Sequence, residues 1–163
     1  MARDIKYLGA DLKKLLESVV TKQMLEEIGQ RMVDIIYKRT KSGKGLTEDK
    51  RLGAGLSPLK PLSEVYKERR KIDGVRGQFG SVRKSNLTNT GEMLEAIVYK
   101  IVGNTVIVEV ESSSRDDGLD NKKLASYVSK NGRPFFGLAS TEEKILDSFI
   151  RRLIRERLRE LNR

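Results

Sequence analysis

The side chains that could do chemistry in this chain are carboxylates, amines and hydroxyls, because its 163 residues include no His and no Cys. The missing His removes the commonest general base and a common zinc ligand, and the missing Cys removes thiolate sites and disulfides. What remains permits magnesium-dependent phosphoryl chemistry but disfavours most hydrolase designs. A catalytic site would therefore have to lie among clustered acidic residues.

One group of acidic residues is spaced closely enough to test as a metal site. It consists of Glu109, Glu111, Asp116, Asp117 and Asp120. A Glu-x-Glu strand followed by Lys is superficially like a nuclease site, but no Asp on an earlier strand completes it, and the later Asp residues occupy a turn that contains Gly. The stretch GKGLTEDK lacks the spacing of a phosphate-binding loop, and no Ser or Lys has a visible base partner. We therefore predict no enzyme activity, no metal and no cofactor, with a nuclease as the least favoured interpretation.

The net charge of +10 predicts a partner that is acidic, such as nucleic acid or an acidic protein surface. Much of the excess positive charge falls in two polar, Gly-rich stretches, 41–60 and 72–88, which we interpret as mobile loops. These charges suit an acidic partner ring or DNA phosphates, and they are equally compatible with a solvated surface. Only Phe79 provides an aromatic ring there, so base stacking is not expected.

The remaining composition indicates a soluble protein. Only 37% of the residues are hydrophobic and 34% are charged, which long polar loops or an assembly interface would explain. No stretch approaches the roughly 20 apolar residues needed to span a bilayer, and the N-terminus lacks the apolar block of a signal peptide. We therefore expect synthesis in the cytoplasm and no membrane contact.

Apolar residues at helical spacing predict five helices. They cover 12–19, 24–36, 61–71, 89–97 and 140–161. Thr21 lies at the boundary between the first two and is suited to cap or kink it.

Two of these helices carry a capping-box pattern at their start. Asn89 is followed three residues later by Glu92, and Ser140 is followed by Glu143. Both pairs predict where a helix begins. The stretch LASYVSK before the last helix is ambiguous between a strand and a helical turn.

A β-hairpin is predicted around the Gly-Asn turn at 103–104, because the apolar period changes to two on both sides of it. Pairing Val102 with Thr105 also pairs Ile97 with Val110, and one face of the hairpin is then wholly apolar. The other face is mixed.

Taken together, the elements predict one α+β domain: a small, mostly antiparallel sheet built on the hairpin and packed by N-terminal and C-terminal helices. Within 1–163, residues 1–40 are helical, 41–60 and 72–88 are mobile basic loops, and 89–163 contain a helix, the hairpin and the C-terminal helix.

An Arg-Pro-Phe-Phe sequence stands directly before the last helix. Either both rings are packing residues of one domain, or part of this segment joins two subunits. We expect Phe135 to anchor the fold, and Arg133 and Phe136 to lie at or near a subunit contact.

The order of several motifs resembles the tail-completion and virion-morphogenesis proteins of tailed bacteriophages, which are related in fold to tail terminators and neck proteins. The C-terminal half carries most of the likeness. The matching residues are Leu87, Thr90 and Gly91; Tyr127 and Gly132; and Arg133, Pro134, Phe135, Gly137 and Leu138, with a weaker match at Leu59, Pro61, Leu62 and Tyr66.

The resemblance implies a non-enzymatic virion protein, assembled in the host cytoplasm, that forms a ring at the head–tail junction. Such rings are commonly sixfold, and they cap the tail tube or join it to the head connector, with DNA passing through the lumen without sequence specificity. The alternative is a small basic DNA-binding protein that acts alone. The residues we predict at subunit or partner contacts are Arg133, Phe136, Tyr127, Lys41, Lys44, Lys50, Arg51, Arg76, Arg83 and Lys84.

Overall fold

The architecture is that of a small α+β protein with two separate two-stranded antiparallel sheets. A computed structural model describes residues 19–47, 54–72, 87, 91–114 and 118–162. The elements are α1 (Lys22–Lys41), β1 (Lys44–Leu46), β2 (Leu56–Pro58), α2 (Glu64–Ile72), α3 (Glu92–Glu95), β3 (Ile97–Val102), β4 (Thr105–Val110), α4 (Asn121–Lys130) and α5 (Ser140–Leu161). The α+β prediction is confirmed, with two sheets in place of the single sheet expected.

The hairpin β3–β4 has the predicted register. Val102 is paired with Thr105 and Ile97 with Val110, so all six residue pairs follow from the Gly-Asn turn. Gly103 has a φ of +58°, a left-handed conformation that residues with a Cβ rarely adopt. The apolar face is turned inward, since Ile97 and Val110 at its far end are buried.

Helix α1 covers the apolar face of the hairpin and supplies one side of the core. Gly29 permits the close approach, because a Cβ at this position would lie 3.0 Å or less from three carbons of the Tyr99 ring. The buried core around this contact also takes in side chains from α3, α4 and the segment before α5. Its members are Ile36, Met93, Leu94, Ala96, Ile97, Val110, Ala125 and Phe135.

Helices α1 and α5 run antiparallel and pack against each other. Arg39 near the end of α1 contacts Glu142 in the first turn of α5, while Arg31, two turns earlier in α1, reaches Phe149 two turns later in α5. Leu146 and Leu153 form the buried part of α5. The predicted apolar stripe is only partly core, however, because Ile145 and Leu161 remain exposed.

The stretch 41–60, predicted as a mobile loop, contains regular structure. Its two ends form the β1–β2 pair, in which Gly45 opposes Ser57. Glycine is required at the first of these positions because a Cβ on Gly45 would lie 2.6 Å from the carbonyl oxygen of Pro134. We interpreted the glycines of this stretch as a sign of a mobile loop, but Gly45 allows two segments to pack closely.

The predicted helix ends were partly wrong. Thr21 caps α1 as expected, since its Oγ1 accepts from the Met24 N–H at 3.2 Å. The N-cap of α5 is Ala139, one residue before the predicted cap Ser140, and Glu142, not Glu143, accepts from the Ala139 N–H at 2.8 Å. Alanine has no side-chain acceptor, so only half of the capping box is present.

Four other predictions for helices have different outcomes. Helix α3 begins after Gly91, which has a φ of +91°, and the predicted cap Asn89 lies outside the described residues. Helix α2 begins at Glu64 and not near Pro61. The ambiguous stretch LASYVSK is helical and belongs to α4, whose N-cap Asp120 accepts from the Lys123 N–H at 2.8 Å. The predicted helix at 12–19 lies outside the described residues except for Val19.

Candidate interaction surface

The segment 133–139, which we call the Arg-Pro-Phe-Phe segment, links α4 to α5 and divides its two aromatic rings between the core and the surface. Phe135 is completely buried, while Phe136 is 39% exposed. The two rings meet edge to face, with their centroids 6.4 Å apart and an interplanar angle of 77°. A buried ring therefore supports an exposed one, which gives the exposed ring a fixed position.

Backbone carbonyls of this segment are held by hydrogen bonds from distant parts of the chain. The Arg39 guanidinium donates to the carbonyls of Phe135 and Gly137. The Leu46 N–H donates to the Pro134 carbonyl at 2.7 Å. The segment is thus tied to both α1 and β1, and its conformation depends on tertiary contacts.

Arg133 is used within the chain. Its Nε donates to the Lys60 carbonyl at 3.0 Å, and its Nη2 donates to the Pro61 carbonyl at 3.1 Å. These bonds fasten the connection between β2 and α2 to the start of the Arg-Pro-Phe-Phe segment. The role of Arg133 at a subunit contact stays a prediction, and within the chain its guanidinium holds two backbone carbonyls.

A buried ion pair lies beneath the segment. Arg39 Nη1 and Glu142 Oε2 are 2.6 Å apart, and the two side chains are only 4% and 9% exposed. The same carboxylate caps α5 through the Ala139 N–H. Because a buried charge is costly without a partner, each member of the pair depends on the other.

Three of the predicted contact residues lie on the segments that adjoin this loop. Tyr127 is 66% exposed on α4, close to the Val128 carbonyl that accepts from the Arg133 N–H. Lys44 is exposed in β1, beside Gly45. The Lys41 ammonium lies 5.5 Å from the centroid of the Tyr37 ring. The fold therefore gathers the segments carrying Lys41, Lys44, Tyr127, Arg133 and Phe136 into one region.

Half of the predicted contact residues cannot be placed, because they lie outside the described residues. These are Lys50, Arg51, Arg76, Arg83 and Lys84. Two cations that directly precede the predicted first loop, Lys38 and Arg39, belong to α1. Lys38 pairs with Asp34 at 3.5 Å, and Arg39 is buried, so the positive surface of this stretch is smaller than its sequence indicates.

The outer face of the hairpin is a second exposed surface. Val102 and Ile107 are exposed on it. Lys100 and Glu109 form an ion pair across the strands, and the hydrogen bond between them lowers the pKa of Glu109 and raises that of Lys100. Sequence alternation indicated a mixed face, but it did not show that the apolar residues would be left uncovered by the described elements.

Two of the acidic residues tested as a metal site, Glu109 and Asp120, have other roles in the structure. Glu109 pairs with Lys100, and Asp120 accepts a hydrogen bond from Ser112 that lowers its pKa, in addition to capping α4. Asp116 and Asp117 lie outside the described residues. Within the described part of the chain, no three acidic side chains are placed to hold a metal ion.

Two arginines meet at the ring of Phe149, a feature that the sequence did not predict. The guanidinium carbon of Arg31 lies 5.9 Å from the ring centroid and that of Arg152 lies 5.2 Å from it. The only available signal was the number of arginines in the last helix, which we interpreted as a solvated face.

Comparison with known proteins adds no relative. No protein-family model matches the chain, and no curated protein or solved structure is significantly similar to it. In the described part of the chain, no helix is long and apolar enough to cross a bilayer.

Proposed function

We propose that this protein is a non-enzymatic structural component of a tailed-bacteriophage particle, which forms a homo-oligomeric ring at the head–tail junction. The ring caps the tail tube or joins it to the head connector. The observation that carries the proposal is the order of the Thr-Gly, Tyr…Gly and Arg-Pro-Phe-Phe-Gly-Leu motifs around a hairpin, which resembles the tail-completion family.

The contacts of the Arg-Pro-Phe-Phe segment support this proposal. Phe135 packs in the core, the Pro134 carbonyl accepts from an N–H of β1, and the Gly137 carbonyl accepts from Arg39. The motif therefore contacts α1, β1 and α5 and stabilises their arrangement, while Phe136 remains exposed at the surface. Such a fixed exposed ring is suited to docking a neighbouring subunit, since aromatic side chains are enriched at interface centres.

The exposed face of the hairpin supports assembly for a different reason. A two-stranded sheet has two free backbone edges, and exposed apolar residues on such a sheet favour pairing with another chain. Val102 and Ile107 are exposed, whereas the intervening charges of Lys100 and Glu109 neutralise each other. In a closed ring every subunit would cover this surface on its neighbour.

Sedimentation velocity and native mass spectrometry of the purified protein, alone and with isolated tail tubes, test the proposal. We expect a concentration-dependent or tube-dependent closed oligomer, with six subunits as the expected number. An electron-microscopy map of the particle should place the oligomer at the head–tail junction. A protein that stays monomeric at high concentration and with tail tubes, or that turns over a substrate, would contradict the proposal.

A further inference from the structure

The two arginines at Phe149 have weaker carboxylate partners than several other surface cations of the helices. Elsewhere Lys22 lies 3.5 Å from Glu26, and Arg151 Nε lies 2.7 Å from Asp147. Arg31 has no carboxylate within 4 Å among the described residues, and Arg152 Nε reaches Glu156 only at 3.8 Å. Among the described residues, Arg31 therefore has no carboxylate partner, and Arg152 has only a long contact with one.

Both guanidinium groups nevertheless converge on one ring. The centres of Arg31 and Arg152 lie 5.9 and 5.2 Å from the centroid of Phe149, so their separation cannot exceed these two distances combined. Because both guanidinium groups border the same ring, they concentrate positive charge there, and an anion beside the ring would reduce their mutual repulsion. Guanidinium groups match phosphate oxygens in bidentate geometry, which makes a phosphate group the best-fitting anion.

The positive surface continues along α5. Arg155 and Arg159 follow Arg152 at intervals of three and four residues, so all three lie on neighbouring positions of the exposed side. With a rise of 1.5 Å per residue, Arg152 and Arg159 are roughly 10 Å apart along the helix axis, about the length of three nucleotides of a DNA strand. Within the described residues, neither Arg155 nor Arg159 forms an ion pair.

Helix stabilisation alone does not account for this arrangement. Cations near a helix C-terminus interact favourably with its dipole, but the effect is confined to the last turn. This explains Arg159, whereas Arg152 lies nine residues before the end of α5 and Arg31 lies in the middle of α1. A membrane surface is also a poorer fit, because Leu146 and Leu153 of α5 are buried, and its exposed apolar residues Ile145, Leu158 and Leu161 are scattered among charged residues.

We propose that Arg31, Arg152, Arg155 and Arg159 form a sequence-independent binding surface for the phosphodiester backbone of nucleic acid. Arg31 and Arg152 each contact a phosphate beside the Phe149 ring, and Arg155 and Arg159 contact the phosphates that follow. Glu156 partly opposes binding, since it also faces Arg152. The surface belongs to a single subunit, so it does not depend on ring formation.

Fluorescence anisotropy with a labelled duplex of about 30 base pairs tests the proposal across a salt series beginning near 50 mM. We expect R31Q/R152Q to weaken binding at least about tenfold at the lowest salt and to reduce the slope of log K against log salt by about two. The matched control K22Q/K38Q also removes two positive charges from the surface, but these are paired with Glu26 and Asp34. It should change affinity by no more than about twofold.

A second pair, R155Q/R159Q, tests the remainder of the surface without touching the Phe149 ring, and it should reduce the slope by a similar amount. Circular dichroism melting checks that every variant folds, and native mass spectrometry of R31Q/R152Q should show unchanged assembly. This last readout separates the present proposal from the ring proposal, since either can fail while the other stands.

Four outcomes would overturn the proposal. The first is that the unaltered protein does not bind duplex DNA near 50 mM salt. The second and third are that R31Q/R152Q loses as much affinity as K22Q/K38Q, or that R31Q/R152Q loses none. The fourth is that the protein binds phosphatidylserine vesicles or inorganic phosphate but not DNA. Two duplexes of different random sequence should bind with equal affinity. A strong preference for one of them would also contradict a contact with the backbone alone.

Discussion

Arg39 connects parts of the chain that lie about a hundred residues apart. It donates to the carbonyls of Phe135 and Gly137 and pairs with Glu142, which itself caps α5. Its neighbours Lys38 and Lys41 are also cations, and nothing in the local sequence singles out Arg39. Only the direction in which α1 faces the Arg-Pro-Phe-Phe segment makes it a buried residue.

Replacing Arg39 with Met should destabilise the fold strongly. The change leaves the buried Glu142 carboxylate without a cation and two carbonyls without a donor, so the free energy of unfolding should fall by about 3–5 kcal/mol. Urea denaturation measures the difference. The control Lys38→Met removes an exposed cation paired with Asp34 and should cost no more than about 1 kcal/mol. Similar losses in both variants would show that the pair has no special role.

The contact between α1 and the hairpin depends on one missing side chain. Helix interiors disfavour glycine, yet Gly29 is buried in the middle of α1 because the Tyr99 ring lies against its Cα. The sequence showed a Gly that weakens a helix and a Tyr on the apolar face of a hairpin. That these two residues touch follows from the packing of the elements.

Gly29→Ala should therefore destabilise the protein, although alanine favours helix by about 1 kcal/mol. We expect a net loss of about 1–2 kcal/mol in the free energy of unfolding, because the new methyl group overlaps the Tyr99 ring. In a Tyr99→Ala background the same change should be neutral or stabilising. A double-mutant cycle by thermal or urea denaturation measures this coupling, and an additive cycle would mean that the two residues do not oppose each other.

Element prediction succeeded where the determinants are local. The hairpin register follows from a two-residue turn and alternating side chains, both encoded within 14 residues. The N-cap residue of α5 was misplaced by one position, because Glu142 pairs with the distant Arg39 and, from that buried position, accepts from the Ala139 N–H. The β1–β2 pair was missed for a related reason, since its packing against Leu59 and Pro134 is a tertiary contact.

At the scale of the whole molecule, the Arg-Pro-Phe-Phe segment separates folding from association. Phe135 belongs to the core, whereas the ring of Phe136 rests on it and faces outward. If the exposed ring docks a neighbouring subunit, the two adjacent phenylalanines should respond differently to the same substitution.

Phe136→Ser should lower the free energy of unfolding by only about 1 kcal/mol while shifting the assembly equilibrium toward monomers. Phe135→Ser should cost at least about 3 kcal/mol in folding, because it removes a completely buried ring. Chemical denaturation and analytical ultracentrifugation provide the two readouts. Parallel loss of folding and assembly in Phe136→Ser would refute this division of roles.

The sequence by itself determined the fold class and the hairpin with its register, because turn chemistry and apolar periodicity act between near neighbours. It also determined the limits on chemistry through the absence of His and Cys. Only the tertiary structure decided which of many similar cations matter: Arg39 is buried with Glu142, Arg133 binds two carbonyls, and Arg31 meets Arg152 at Phe149. The reason is physical, since the role of a charged side chain is set by the groups that surround it in space, and these come from distant parts of the chain.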